Sequence, residues 1–300
     1  MINIKKILIT GENSYIGVST KNWLMNKQNK EQQYKLNEVC IKGNNWRDMN
    51  FSDYDAVFHV AGIAHSETGV STEENKARYY QVNTDLTIEV AKKAKHDGVS
   101  QFVFMSSMIV FGNSAPFGIR KRITKDTVPS PDNFYGDSKW QAELGLTTLK
   151  SDNFKIAIIR PPMVYGKGSK GNYPRLAKLA KILPLFPDVD NERSMLHIDN
   201  LCEFIRLVIE NGDGGVFFPQ NEKYVKTSEL VVEIAAVHGK KVRLTRAFAP
   251  LLKILAKRGR GRLLNKVFGS LSYDMALSEY KDDYRVRNFK ESIELTEELK

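Results

Sequence analysis

The sequence predicts an α/β fold, a doubly wound parallel sheet with a smaller mixed α/β C-terminal lobe, and three observations predict it. Short apolar runs alternate with longer amphipathic stretches through the first half of the chain, the rhythm of a parallel sheet covered on both faces by helices. A glycine-bearing turn, ITGENSYIG, follows the first apolar run and opens the first helical stretch. From Arg160 onward the rhythm loosens, with prolines at 161, 162, 174, 184 and 187. A chain of 300 residues with 42% hydrophobic content can build two lobes of this kind, because domains run to about 100–200 residues.

Each element follows from local pattern. Residues 7–10 read as the first strand, 17–27 as a helix, 38–41 and 56–60 as strands, and 74–96 as one long helix stopped by Gly98. Residues 102–106 form an almost uninterrupted apolar run, as a strand buried on both faces requires. A helix over 135–149 leads to a strand over 155–159. In the second half, helices are expected over 173–181, 199–210 and 228–238, the last two opened by Asp199 and Ser228 as N-caps. The division falls at residues 1–165 and 166–300, with some later chain returning to the first sheet.

The turn after the first strand has the context of a Rossmann-type dinucleotide site. Gly11 makes the tight turn, Gly17 lets helix and strand pack closely, and the amides of Tyr15 and Ile16 at the helix N-terminus hold a pyrophosphate. Ser14 stands where a middle glycine is usual, restricting the backbone while offering its own hydroxyl. Ala61 and Gly62 end the strand VFHVAG and leave room for the cofactor to pass. At the end of the second strand no acid is present to bind a ribose 2′-hydroxyl, and Lys42 suits a 2′-phosphate instead. That favours NADP(H) and leaves NAD(H) open. Asp48 is a candidate adenine contact and equally a surface acid.

Tyr135 and Lys139 stand four residues apart in FYGDSKWQAE, so phenol and ammonium share one helix face. The positive charge is expected to lower the tyrosine pKa from about 10 and let the phenol trade protons near neutral pH. Ser106 and Ser107 end the strand VFMSS, and open sheets hold ligands beyond the carboxyl ends of their strands. Taken with the glycine turn, these groups predict an enzyme with Ser106 close to the cofactor.

Other classes are excluded in turn. Cys40 and Cys202 have neither metal nor disulfide spacing and read as buried thiols, and the five histidines, at 59, 65, 96, 197 and 238, are scattered, so no metal is expected. A formal net charge of +10 fits an anionic partner, but no nucleic-acid-binding motif accompanies it. The start runs straight into a strand, and no apolar run approaches the roughly 20 residues of a membrane helix, so the protein is expected to be cytoplasmic. Residues 240–266 interleave lysines and arginines with leucines; a surface helix packed on the lobe is the first reading, weak peripheral membrane association the second.

With these residues in hand, the chain resembles the extended short-chain dehydrogenase/reductases, specifically the NAD-dependent epimerase/dehydratase family of nucleotide-sugar enzymes. The matching segments are TGENSYIG, VFHVAGIAH, VNTDLT, FMSSMIVFG, YGDSK, RPPMVYG and ERSMLHIDNL, in family order along nearly the whole chain. The likeness is greatest to short bacterial polysaccharide enzymes that reduce a UDP-linked 4-keto-6-deoxy-N-acetylhexosamine, with UDP-glucose 4-epimerases next. A compressed loop after Cys40 and the lack of an Arg-x-Gly-Asp motif in the tail depart from the epimerases.

The resemblance implies Ser107 as catalytic hydroxyl, Tyr135 as acid/base and Lys139 as ribose-binding lysine. It implies Asn83, Pro162 and Val164 beside the cofactor, and Arg193 as the clamp on the sugar-nucleotide diphosphate, which Asn172 can also reach. The expected reaction is reduction at C4 of a UDP-sugar. A redox-neutral 4-epimerase is the alternative, and a dinucleotide sensor without chemistry is the reading from another class. A homodimer through the 74–96 and 135–149 helices is implied as well.

Overall fold

The computed structural model describes residues 3–64, 72–248, 250, 252 and 261–298. His65 and most of residues 249–260 lie outside the described residues; the described part of the stretch read as one surface helix over 240–266 is instead a short strand at Arg243–Thr245 and, from Gly261, the start of a separate helix. Two compact units divide the chain: Met1–Gly112 with Val128–Pro161 and Cys202–Pro219, and Asn113–Thr127 with Pro162–Leu201 and Gln220–Lys300.

In the first unit the strands are β1 (Asn3–Thr10), β2 (Gln32–Val39), β3 (Ala56–His59), β4 (Gln101–Met105), β6 (Lys155–Ile159) and β10 (Gly215–Phe217). They form a parallel sheet in the order β10-β6-β4-β3-β1-β2. β3 and β4 are buried along their whole length because helices cover both faces. Leu8, Val57, Phe102 and Phe104 pack into one core with Val90, Ala94, Ala142 and Leu146 from the helices. Strand order reverses between β1 and β3, so their carboxyl ends flank the crevice where such sheets take ligands.

Three expectations need correction. β2 begins six residues ahead of the expected 38 and ends before Cys40; its polar alternation QQYKLNEV is that of an edge strand with one wet face, which an apolar-run reading overlooks. Cys40 therefore falls past the strand and is exposed, while Cys202 is buried. The helix expected over 74–96 is three pieces, α2 (Thr72–Tyr79), a π-helical turn (Tyr80–Asp85) and α3 (Leu86–His96). The unit also contains α1 (Tyr15–Asn26) and α4 (Phe134–Thr147).

The second unit packs α5 (Asn172–Ala180), α7 (Thr227–Val237) and the helices Gly261–Phe268 and Phe289–Glu297 around a core that includes Tyr165, Leu176, Leu230, Ile234 and Ile293. α6 (Ile198–Asn211) starts in this unit and continues into the first. Short parallel pairs complete the second unit: β7 (Met163–Tyr165) with β9 (Met195–His197), β8 (Leu185–Pro187) with β11 (Arg243–Thr245), and β5 (Arg122–Ile123) with β12 (Ser272–Tyr273). Ser228 does not cap α7: the helix starts one residue earlier, Lys226 is its N-cap without a side-chain bond, and the Thr227 hydroxyl donates to the Val267 carbonyl at 2.7 Å.

Candidate active site

Close backbone approach builds the cofactor end. Gly11 has φ +103°, and a Cβ there would come within 2.7 Å of the Ala61 amide nitrogen, so β1 and β3 meet at a point where only glycine fits. A Cβ on Gly17 would meet Val60 Cγ1 at 3.1 Å, which is the close helix–strand packing expected of that position. Ser14 caps α1, its Oγ accepting from the Gly17 amide at 3.1 Å. The serine thus fixes the helix start instead of lining the turn as glycine would. Tyr15 and Ile16 form the first turn of α1, at the positive end of its dipole. These residues fit a dinucleotide.

At the end of β3 the same pattern continues. A Cβ on Gly62 would stand 3.1 Å from Lys139 Nζ and 3.0 Å from Asn83 Oδ1, so this backbone lies directly against the candidate catalytic lysine. Asn83 sits in the π-helical turn and holds Ile63 from both sides, Nδ2 donating to its carbonyl at 3.0 Å and Oδ1 accepting from its amide at 2.8 Å. Nδ2 also donates to Ser138 Oγ at 3.0 Å, and the Thr84 hydroxyl donates to the Ser138 carbonyl at 2.7 Å. One extra residue in the helix thereby ties the β3 loop to α4; such π-bulges concentrate at functional sites.

Ser107 lies between two anchored amides, Ser106 N donating to the Ile159 carbonyl at 2.8 Å and Met108 N to the Pro161 carbonyl at 2.9 Å. α4 begins at the Asn133 cap, which accepts from the Gly136 amide at 2.9 Å, and Gly136 packs where a Cβ would touch the Ile109 carbonyl at 2.8 Å. That packing brings Tyr135, in the first turn, beside the Ser107 hydroxyl. The rings of Tyr135 and Tyr79 are 6.2 Å apart.

The electrostatics differ from the sequence expectation. Tyr135 is half-buried as a whole, yet its hydroxyl is enclosed, and this desolvation pushes the phenol up, with the neighbouring Ser107 hydroxyl pulling against it. Lys139 does not lower it: its Nζ donates to the Met105 carbonyl at 2.9 Å and lies 4.6 Å from the Phe104 ring centre. Burial brings Lys139 itself down to about 8, with Glu143 opposing. Ser106, expected at the cofactor, instead donates its hydroxyl to the buried Glu143 carboxylate.

Next to the site, His59 is fully buried, Nδ1 2.8 Å from Thr10 Oγ1 and Nε2 3.0 Å from Thr87 Oγ1. Burial lowers it to about 3, helped by the Lys139 charge. The unfolded chain takes up this proton below the usual value of about 6.5 and the folded chain does not, so stability falls as pH drops from 6.5 toward 3, by up to about 5 kcal/mol. We expect His59→Gln to flatten that part of a denaturant-unfolding pH profile relative to the parent chain. An unchanged acid limb in the variant would assign the loss to carboxylates instead.

Lys42 and Asp48 are exposed in the loop after β2. Between them is Arg47, overlooked in the sequence, which pairs with Glu89 at 2.7 Å and stacks 4.6 Å from the Trp46 ring.

The remaining candidates belong to the second unit. Pro162 precedes β7, Val164 lies in it, and Asn172, half-buried, opens α5 without a hydrogen bond to Arg193. The Arg193 guanidinium donates to the carbonyls of Gly269 at 3.0 Å and Lys266 at 2.9 Å and to Ser114 Oγ at 3.3 Å. Among the described residues no carboxylate pairs with it, and burial lowers it to about 10. A structural salt bridge is thus ruled out within the described chain. The guanidinium is held by neutral oxygens alone among the described residues.

The UDP-glucose 4-epimerase of Vibrio cholerae is 28% identical over 91% of this chain and 88% of its own length. Among solved structures, the UDP-glucuronic acid 4-epimerase of Bacillus cereus with NAD superposes with a TM-score of 0.69 at 17% identity, covering 97% of this chain and 96% of that one. The dTDP-4-dehydrorhamnose reductase of Bacillus anthracis with NADP superposes with a TM-score of 0.61 at 21% identity, covering 81% and 83%. Residues 7–218 match the NAD dependent epimerase/dehydratase family, and the chain belongs to that family as an enzyme of the extended short-chain dehydrogenase/reductase type.

Proposed function

We propose that this enzyme reduces C4 of a UDP-linked 4-keto-6-deoxy-N-acetylhexosamine for surface polysaccharide synthesis. The observation that carries the direction is the enclosed Tyr135 hydroxyl beside Ser107, its proton held by burial. A phenol held protonated at neutral pH is set to give a proton, which reduction of a carbonyl requires. Ser107 steadies the C4 oxygen as negative charge develops on it, and Tyr135 delivers the proton to that oxygen. When bound, the reduced nicotinamide supplies the hydride. Lys139 and the glycine-built crevice of Gly11, Gly17 and Gly62 hold the cofactor, with Lys42 favouring NADP(H). Arg193 holds the diphosphate of the sugar nucleotide, its fork matching phosphate oxygens.

A second reading, a redox-neutral UDP-sugar 4-epimerase, is favoured by the Vibrio cholerae relative, whose likeness spans 91% of the chain. There Tyr135 takes the C4 hydroxyl proton and returns it. Nicotinamide absorbance separates the two, with UDP-4-keto-6-deoxy-N-acetylglucosamine as substrate and NADPH or NADH supplied separately. Stoichiometric loss of reduced cofactor is the expected result. No loss with either cofactor, together with interconversion of UDP-glucose or UDP-N-acetylglucosamine epimers, would move the assignment to the epimerase.

A further inference from the structure

One turn beyond Lys139, α4 carries a carboxylate that the proposed reaction does not use. Glu143 is 2% exposed, and its oxygens accept from Arg160 Nε at 3.1 Å each, from Arg160 Nη2 at 2.5 Å, and from the Ser106 hydroxyl. Arg160, 6% exposed, lies between aromatic faces, with Phe111 at 5.0 Å and Trp140 and Phe218 at 5.5 Å. Ser106 immediately precedes Ser107 at the end of β4, and Arg160 immediately follows β6. A single carboxylate therefore links the helix bearing Tyr135 and Lys139 to both strand ends beside it.

Stability alone does not account for this arrangement. Burying an ion pair costs desolvation that its attraction rarely exceeds, and apolar residues of similar volume fill such a site equally well. What apolar residues cannot supply is a negative charge for the buried ammonium of Lys139. The charged and titratable groups around that ammonium are Glu143, one turn along α4 with Arg160 bonded to it, and His59 from β3. His59 is held neutral by burial, and Arg160 is positive. Glu143 is the group that opposes the burial of Lys139.

We propose that Glu143 is a positioning residue of the reaction, the counter-charge of Lys139 and the brace that fixes Ser107 opposite Tyr135. Locked by Arg160 and Ser106, its carboxylate cannot swing away, so α4 and the end of β4 keep one register while the ammonium stays charged. For its catalytic consequence this inference rests on the C4 oxidoreduction above; the charge balance itself does not.

The test uses Glu143→Gln, which keeps the shape, and Glu143→Leu with Arg160→Met, which removes both charges so that neither is left buried alone. The Lys139 titration is read by NMR of protein labelled at lysine Cε, its signal identified by loss in Lys139→Arg. NADPH affinity is followed by fluorescence across the same pH range. In folded Glu143→Gln the Lys139 midpoint should fall by about one pH unit or more, as loss of a close opposite charge predicts; in the double variant the loss of the Arg160 charge offsets part of this, and a smaller fall is expected. The alkaline limb of NADPH binding should move down with it.

A purely structural Glu143 would leave the midpoint where it is, most clearly in folded Glu143→Gln, and that result overturns the proposal. If Glu143→Gln does not fold, the double variant decides. The titration needs no sugar nucleotide. A shifted midpoint in an enzyme that turns over neither class of substrate would count against the C4 reading and leave the charge balance standing.

Discussion

Tyr135→Phe is expected to lower turnover by roughly 10²–10⁴-fold while leaving nucleotide-sugar binding intact, since a positioned proton donor contributes about that much. The substitution removes one oxygen and nothing else. The ring keeps its packing against Tyr79, 6.2 Å away between centres, and Ser107 keeps its anchored backbone on either side. The retained Ser107 hydroxyl and the bound cofactor account for the residual rate. Turnover from nicotinamide absorbance, set beside sugar-nucleotide affinity from calorimetry, checks the split. Lost binding with unchanged turnover per bound substrate would remove Tyr135 from the chemistry.

The second large effect belongs to Arg193. Its partners are two carbonyls and a hydroxyl, which orient the guanidinium without neutralising it. Arg193→Met should raise the KM for the sugar nucleotide about 10- to 100-fold, because a charge-assisted hydrogen bond is worth roughly 1.5–3 kcal/mol, and should leave NADPH affinity unchanged. The substitution also leaves the Gly269 and Lys266 carbonyls without their donor, so melting has to be followed alongside. Arg193→Lys, which restores charge without the fork, should recover only part of the affinity. UDP binding to Arg193→Met at parental strength in a folded variant would place the diphosphate elsewhere.

Most of the fold was legible because the central strands are apolar on both faces and the helices have one apolar stripe. β3, β4 and β6 announce themselves as short runs of Val, Ile and Phe. The edge strand β2 did not, since one wet face gives it the composition of a loop. The π-helical turn was invisible for a different reason: its residues, YQVNTD, keep the apolar spacing of an ordinary helix, and the extra residue is specified by what Asn83 and Thr84 bond. The Tyr135–Lys139 pair and the glycine turn could be read from spacing alone, because helix and turn geometry are local. Proton affinity could not. Four-residue spacing puts Lys139 on the face of Tyr135 but does not say that its ammonium would turn to Met105, nor that enclosure would raise the phenol. Glu143 was overlooked because its partners, Ser106 and Arg160, stand 37 and 17 residues away.

The π-helical turn at Tyr80–Asp85 also limits how this chain can change in length. Deleting one residue there would relax the segment to a regular α-helix, the more favourable local geometry. It would also rotate one side of the cut relative to the other by about 100°. Either Asn83 would leave Ile63, or the apolar stripe of α3 with Val90, Ala91 and Ala94 would turn out of the core. Insertions face the same choice in the opposite sense. Functional sequences of this segment are therefore free to vary outside Asn83 and Thr84 but not in number, and a gap placed between residues 80 and 85 of an alignment marks an alignment error or a chain that has abandoned this site.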